Sequence, residues 1–169
     1  MLSPFSSTWR QDIADFFNSF LGGATFTTPY VDGTWTPTIT TDNVAFGSIT
    51  YTTQLGVYTR IGSVCFVAGR ITTATVTTGS ASGNVCFGGF PLAAVATNYN
   101  SGGGPCEYAS NWTTRWPTGW AFSGAGSKAV LFGNSPTANS TGIAPANVTP
   151  GGAGVGIVDV IFSGSYRVA

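Results

Sequence analysis

Hydrophobic positions follow two different periods along the chain. Over residues 9–21, Trp9, Ile13, Phe16, Phe17, Phe20 and Leu21 recur at the spacing of one helix face, while Arg10, Gln11, Asp12, Asp15 and Asn18 fall largely on the others. Thr8 with Gln11 three residues later has the pattern of a capping box, and Gly22 and Gly23 stop the run. The spacing therefore predicts a short amphipathic α-helix over 9–21. A helix this short is marginal alone in water, and a face carrying three Phe and a Trp needs a hydrophobic partner.

After the turn signals at Pro29 and Asp32-Gly33 the period changes to that of β-strands, in a long region rich in Thr, Val, Ile, Phe and Tyr and broken by Gly, Asn and Pro. The clearest strand is Val64 to Val76, with Val64, Phe66, Ala68, Arg70, Thr72, Ala74 and Val76 on one face and Cys65, Val67, Gly69 and Ile71 on the other. Further strands are expected at Thr34–Thr41, Val44–Thr53, Leu55–Ile61, Asn84–Gly88, Trp120–Ser123, Lys128–Gly133 and Val155–Val168. The segments Asn98–Pro105 and Asn134–Gly154, rich in Gly, Ser, Asn, Thr and Pro, read as long loops. The expectation is an all-β fold, a jelly-roll-like antiparallel β-sandwich over 33–169, preceded by a separate N-terminal segment over 1–32.

Composition narrows the classes of function. Six Lys and Arg balance six Asp and Glu in 169 residues, and only 7% of positions are charged. With 25 Thr and 16 Ser, the polar surface must be made of hydroxyls instead. Six scattered cations supply neither a phosphate-neutralising stripe nor a polybasic patch, so neither nucleic acid nor an anionic membrane is expected as a partner. No apolar run is long enough for a membrane-spanning helix, and no membrane insertion is expected. A net charge of zero favours association.

The chain contains no histidine, which removes Ser-His-Asp and Cys-His nucleophilic sites and the usual zinc hydrolase centres. Cys65, Cys86 and Cys106 are odd in number and widely spaced; Cys65 and Cys86 read as small buried apolar residues. Asp42, Glu107 and Asp159 lie in the β region, but nothing in their spacing brings two of them together as a glycosidase pair, and Asp42-Asn43 is a plain turn dipeptide. No catalytic residue, metal ligand or cofactor is assigned, and no enzyme is expected. Tyr108, Trp112, Trp116 and Trp120 are spaced four apart with Arg115 among them, so an extended chain would place them on one face. Such a row, with Asn111, Arg115 and Glu107 as hydrogen-bonding groups, is a candidate glycan-binding surface; the same rings would equally fill the sandwich or a subunit interface. Arg70 either pairs with a carboxylate such as Asp159 or marks a solvent-facing position.

The stretch GTWTPTIT at 33–40 and ITYTTQLGVYTRIGSVCFVAGRIT at 49–72 resembles a module of tailed-phage fibre and capsid-decoration (head-fibre) proteins. The pattern is carried by Gly33, Trp35, Pro37, Tyr51, Gln54, Gly56, Tyr58, Ile61, Gly62, the Gly89-Phe90-Pro91 turn and the closing run Phe162 to Tyr166. The resemblance implies a β-sandwich assembled as a homotrimer and located on a virion put together in the host cytoplasm. Its N-terminal segment would dock on a capsid or tail protein through Trp9, Ile13, Phe16, Phe17, Phe20 and Leu21, and host-surface glycan would be a further partner. Capsid decoration, a short fibre and a tail-fibre receptor-binding tip all fit this pattern, and a free carbohydrate-binding module is the alternative from another class.

Overall fold

A computed structural model describes residues 30–95, 101–122, 127–135, 138–148 and 158–168. The helix expected over 9–21, and with it Trp9, Ile13, Phe16, Phe17, Phe20 and Leu21, lies outside the described residues.

Ten strands run among the described residues: β1 (Val31–Trp35), β2 (Thr38–Thr41), β3 (Ser48–Ile61), β4 (Val64–Thr77), β5 (Val85–Gly88), β6 (Gly102–Ser110), β7 (Trp116–Ala121), β8 (Ala129–Ser135), β9 (Ala138–Gly142) and β10 (Asp159–Arg167). One short 3-10 turn covers Pro145–Asn147. All pairings are antiparallel, in the order β1-β3-β4-β10-β6-β7-β8-β5-β2, with β9 attached to β8. The antiparallel all-β sandwich expected from the sequence is present, built as one sheet that curls around a single core.

The two ends of that sheet are successive pieces of one chain. β1 pairs with β3, and only Thr36 and Pro37 separate it from β2, which pairs with β5. Where β2 passes β3, side chains replace the backbone ladder. The Tyr51 hydroxyl accepts from the Ile39 N–H at 3.0 Å and donates to the Ile39 carbonyl at 3.2 Å, and the Gln54 amide donates to the Pro37 carbonyl at 2.8 Å. The β3–β4 register slips between Thr50 and Thr53, around Tyr51. A proline has no N–H to offer a ladder, and here a phenol and an amide close the seam beside it.

Alternation along β4 and β10 decides what is inside. Cys65, Val67 and Ile71 of β4 and Val160, Phe162 and Tyr166 of β10 are buried, and Trp35, Phe87, Phe90, Trp120 and Phe122 converge on them. Phe87 stacks on Phe162 with centroids 4.1 Å apart, Trp35 stacks on Phe90 at 5.1 Å, and Phe122 meets Tyr166 at 5.0 Å. Polar tips of these rings find backbone partners: Trp120 Nε1 donates to the Ser163 carbonyl at 3.0 Å, Trp35 Nε1 to Val57 at 3.3 Å, and the Tyr166 hydroxyl to Leu92 at 3.0 Å. Such rings contribute their buried area at no cost in stranded donors.

Several expected boundaries change, the first at Thr34–Thr41, which breaks at Thr36 and Pro37 into the end of β1 and the whole of β2. Val44–Thr53 and Leu55–Ile61 are parts of one strand beginning at Ser48, since residues 50–53 bend the strand without ending it. The strand expected at Trp120–Ser123 begins earlier, at Trp116, and ends at Ala121. Within the expected loop 134–154, β8 continues to Ser135 and β9 returns along it. The largest correction is at Asn98–Pro105, where Gly102, Gly103, Gly104 and Pro105 open strand β6. A Cβ at Gly102 or Gly104 would run into the backbone of β10, at Ser165 and Ser163 respectively. Glycine is used here for close approach of two strands. Pro105 falls where the β6–β10 ladder has its gap, between the Gly103 and Cys106 rungs.

Candidate functional site

The outer face of β3, β4, β10 and β6 carries the feature that the core does not explain. On this face Leu55 stands opposite Arg70, Val57 opposite Ala68, Thr59 opposite Phe66 and Ile61 opposite Val64; Arg70 in turn neighbours Ile161, and Ile161 neighbours Tyr108. Leu55 is 65% exposed, Val57 and Ile61 57%, Tyr108 49% and Phe66 48%. An open depression of about 240 Å³ is lined by Leu55, Val57, Ala68, Arg70, Glu107 and Ile161, with Gly56, Gly69 and Phe162 in its floor.

A bulge shapes one margin of the face. The β6–β10 register shifts between Ile161 and Phe162, leaving Glu107 as the extra residue between Cys106, opposite Phe162, and Tyr108, opposite Ile161. Cys106 and Ala109 pack towards the core, so the bulge turns the consecutive residues Glu107 and Tyr108 both outwards. The Ser163 hydroxyl donates to Glu107 Oε1.

Arg70, Asp159 and Thr72 of this face are paired with one another. Arg70 Nη2 and Nε donate to the two carboxylate oxygens of Asp159 at 2.7 and 3.1 Å, and the Thr72 hydroxyl donates to Oδ1 at 3.0 Å. Hydrogen bonds from Arg70, helped by Thr72, hold Asp159 below the ordinary carboxylate range against the opposing effect of its burial. Of the two expectations for Arg70, pairing with Asp159 is the one observed, and its side chain remains half exposed.

The structure does not assemble the aromatic row. The chain reverses between β6 and β7, with Asn111 and Thr114 at positive φ, so residues 108–120 are not one extended segment. Trp112 and Trp120 are buried in the core, and Trp112 Nε1 has no hydrogen-bond partner among the described residues. Trp116 is exposed on β7, and Tyr108 belongs to the outer face described above. Arg115 donates to the Gly142 carbonyl at 3.2 Å, bracing the β6–β7 connection, and Asn111 is exposed in that turn. Asp42 accepts from the backbone and side chain of Asn84, while Asp159 and Glu107 engage different partners on either side of Ile161.

Cys65 and Cys86 are buried as expected, and all three cysteines are free thiols. Burial pushes the thiols of Cys86 and Cys106 up to about 12, which keeps both protonated at neutral pH. Among the described residues, no cluster of three or more His, Cys, Asp or Glu could hold a metal ion, and no helix is long and apolar enough to cross a membrane.

No protein-family model, curated protein or solved structure matches the chain.

The outer apolar face was not singled out from the sequence, although its signal was present. Val64, Phe66 and Ala68 form as apolar a row as the buried face of the same strand, and Leu55 and Val57 add to it. A β-strand apolar on both sides is either covered twice or open to association.

Proposed function

We propose that the chain is a non-enzymatic structural protein of a phage particle, a homotrimeric capsid-decoration or short fibre protein anchored through residues 1–32 and displaying its β-sandwich outwards. The observation that carries the reading is the exposed apolar face on β3, β4, β10 and β6 of a chain with no net charge, which favours assembly over a solitary existence. The Gly-x-Trp-x-Pro strand and the motif that follows it supply the phage context. The amphipathic stripe at 9–21 supplies the anchor, each large apolar side chain contributing roughly 1.5–3 kcal/mol on burial before ordering costs, multiplied by avidity in a trimer.

The test is particle incorporation of the double variant Phe16→Asp, Phe20→Asp. The expected outcome is a folded oligomer recovered entirely in the soluble fraction and absent from purified particles. Incorporation at the level of the unaltered protein would overturn the anchor and with it this reading.

A further inference from the structure

We infer that the outer face of β3, β4, β10 and β6 is the surface through which one copy of this chain binds a second copy; the inference rests on the homo-oligomeric reading above and assigns its interface. Nine large hydrophobic residues are exposed among the described residues, and five of them, Leu55, Val57, Ile61, Phe66 and Tyr108, lie on this one face. With Ala68 and Ile161 between them, they form a contiguous apolar area across four strands. Monomeric surfaces rarely carry patches beyond a few hundred Å², and interfaces between like chains are the apolar ones, resembling a core cut in half.

The polar groups of the face argue against a small polar ligand. A sugar or nucleotide site needs several unpaired donors and acceptors converging on one place. Here Arg70 is bound in a two-pronged pair to Asp159, Thr72 completes that carboxylate, and Glu107 is taken by Ser163. What the face offers is apolar area whose central ion pair, Arg70 with Asp159, is already made and can be buried without stranding either partner. A second copy meets no opposing net charge, because the chain has six groups of each sign. Unlike charges also stand at the two ends of the face, Glu107 beside Ser163 and Arg167 at the end of β10. Copies that set the Glu107 end of one face against the Arg167 end of the next would therefore bring acid to base.

The experiment compares the full-length protein with the double variant Val57→Thr, Phe66→Thr by light scattering over a range of concentrations, with circular dichroism to check the fold. Threonine keeps the β preference of both positions. The expected result is an oligomer for the unaltered chain and a folded monomer for the variant, with the dissociation constant raised at least about 100-fold; Val44→Thr, exposed on another part of the molecule, should leave the mass unchanged. An oligomer of unchanged mass from the folded double variant would overturn the interface and leave the oligomeric reading standing. A monomer from the unaltered chain at every concentration would overturn both. Should the double variant fail to fold, hydroxyl-radical footprinting of the unaltered protein decides. Labelling of Leu55, Phe66 and Tyr108 suppressed at high concentration, with Val44 unaffected, supports the interface, and undiminished labelling refutes it.

Discussion

Strand β4 presents Cys65, Val67 and Ile71 to one side and Phe66 and Ala68 to the other, and the two sides differ less in residue type than in what covers them. The inner side is sealed by aromatic rings from β1, β5, β7, β10 and the chain following β5 and β7; Trp35, Trp120 and Tyr166 place their polar tips on backbone carbonyls, and Trp112 Nε1 has no partner among the described residues. The outer side is apolar at comparable density but open, and its central charges, Arg70 and Asp159, are paired with each other. A face becomes core when aromatic side chains from other strands reach it, and the curl of the sheet allows that on one side only. Substitutions on the two sides should therefore have different consequences: inside they unfold the chain, outside they change what it associates with.

The largest effect is expected inside. Trp120 is fully buried, touches Phe87, Phe90, Phe122 and Phe162, and donates to the Ser163 carbonyl of β10. Trp120→Ala removes this hub and leaves an acceptor unmet, at a cost of about 3–5 kcal/mol. Thermal unfolding should shift down by roughly 10 °C or more. A shift of a degree or two would mean that the inner face is no better packed than the outer one, and the contrast between them would collapse.

How much of this was legible beforehand depends on which residues one asks about. The parity of β4 was readable because a β-branched and aromatic strand alternates with period two, and alternation survives any tertiary context. Which parity is buried was signalled only by Cys65, since Val67 and Phe66 are equally apolar and the path of β10 and β1 decides between them. β6 was missed because Gly102, Gly103, Gly104 and Pro105 are poor strand formers by local preference. They are selected instead by the backbones of β10 and β7 on either side, a cause outside the local sequence. The aromatic row does not share one face for a related reason: its spacing assumes an extended chain, the turn at Asn111–Thr114 reverses it, and Trp112 and Trp120 fill the core, the other reading of those rings. Arg70 and Asp159 could be named as a pair, but that Thr72 and the neighbouring rung β4–β10 would fix their geometry could not.

An intermediate effect is expected at the seam, where the inner and outer regimes meet. Tyr51→Phe keeps the ring and removes both hydrogen bonds to Ile39, leaving that residue's N–H and carbonyl without the phenol. A half-buried backbone pair deprived of its partner costs about 1–2 kcal/mol. Unfolding in denaturant should show a lower midpoint with an unchanged slope. Hydrogen exchange at the Ile39 amide should also quicken relative to β4, because the rung protecting it is gone. If the midpoint does not move, the seam is closed by packing of β2 on the core alone and Tyr51 is a bystander.

The smallest effect is expected outside, and it carries a pH signature. In the folded chain the Asp159 carboxyl sits below its ordinary value of 3.8 because Arg70 and Thr72 donate to the ionised form. A carboxylate depressed in this way stabilises the fold above the unfolded-state value, and the stabilisation disappears as pH falls through the folded-state value. Asp159→Asn should therefore lower the melting temperature slightly at pH 7, on the order of 2 °C, since Arg70 is half exposed and solvent screens the pair. The difference should stay constant down to about pH 5 and close below 3.8, where the unaltered protein loses the same charge by protonation. Added salt should narrow it at pH 7. A gap that persists unchanged to pH 2 would show that Asp159 acts through shape and neutral hydrogen bonds, and that the charges of the outer face contribute nothing to the stability of the single chain.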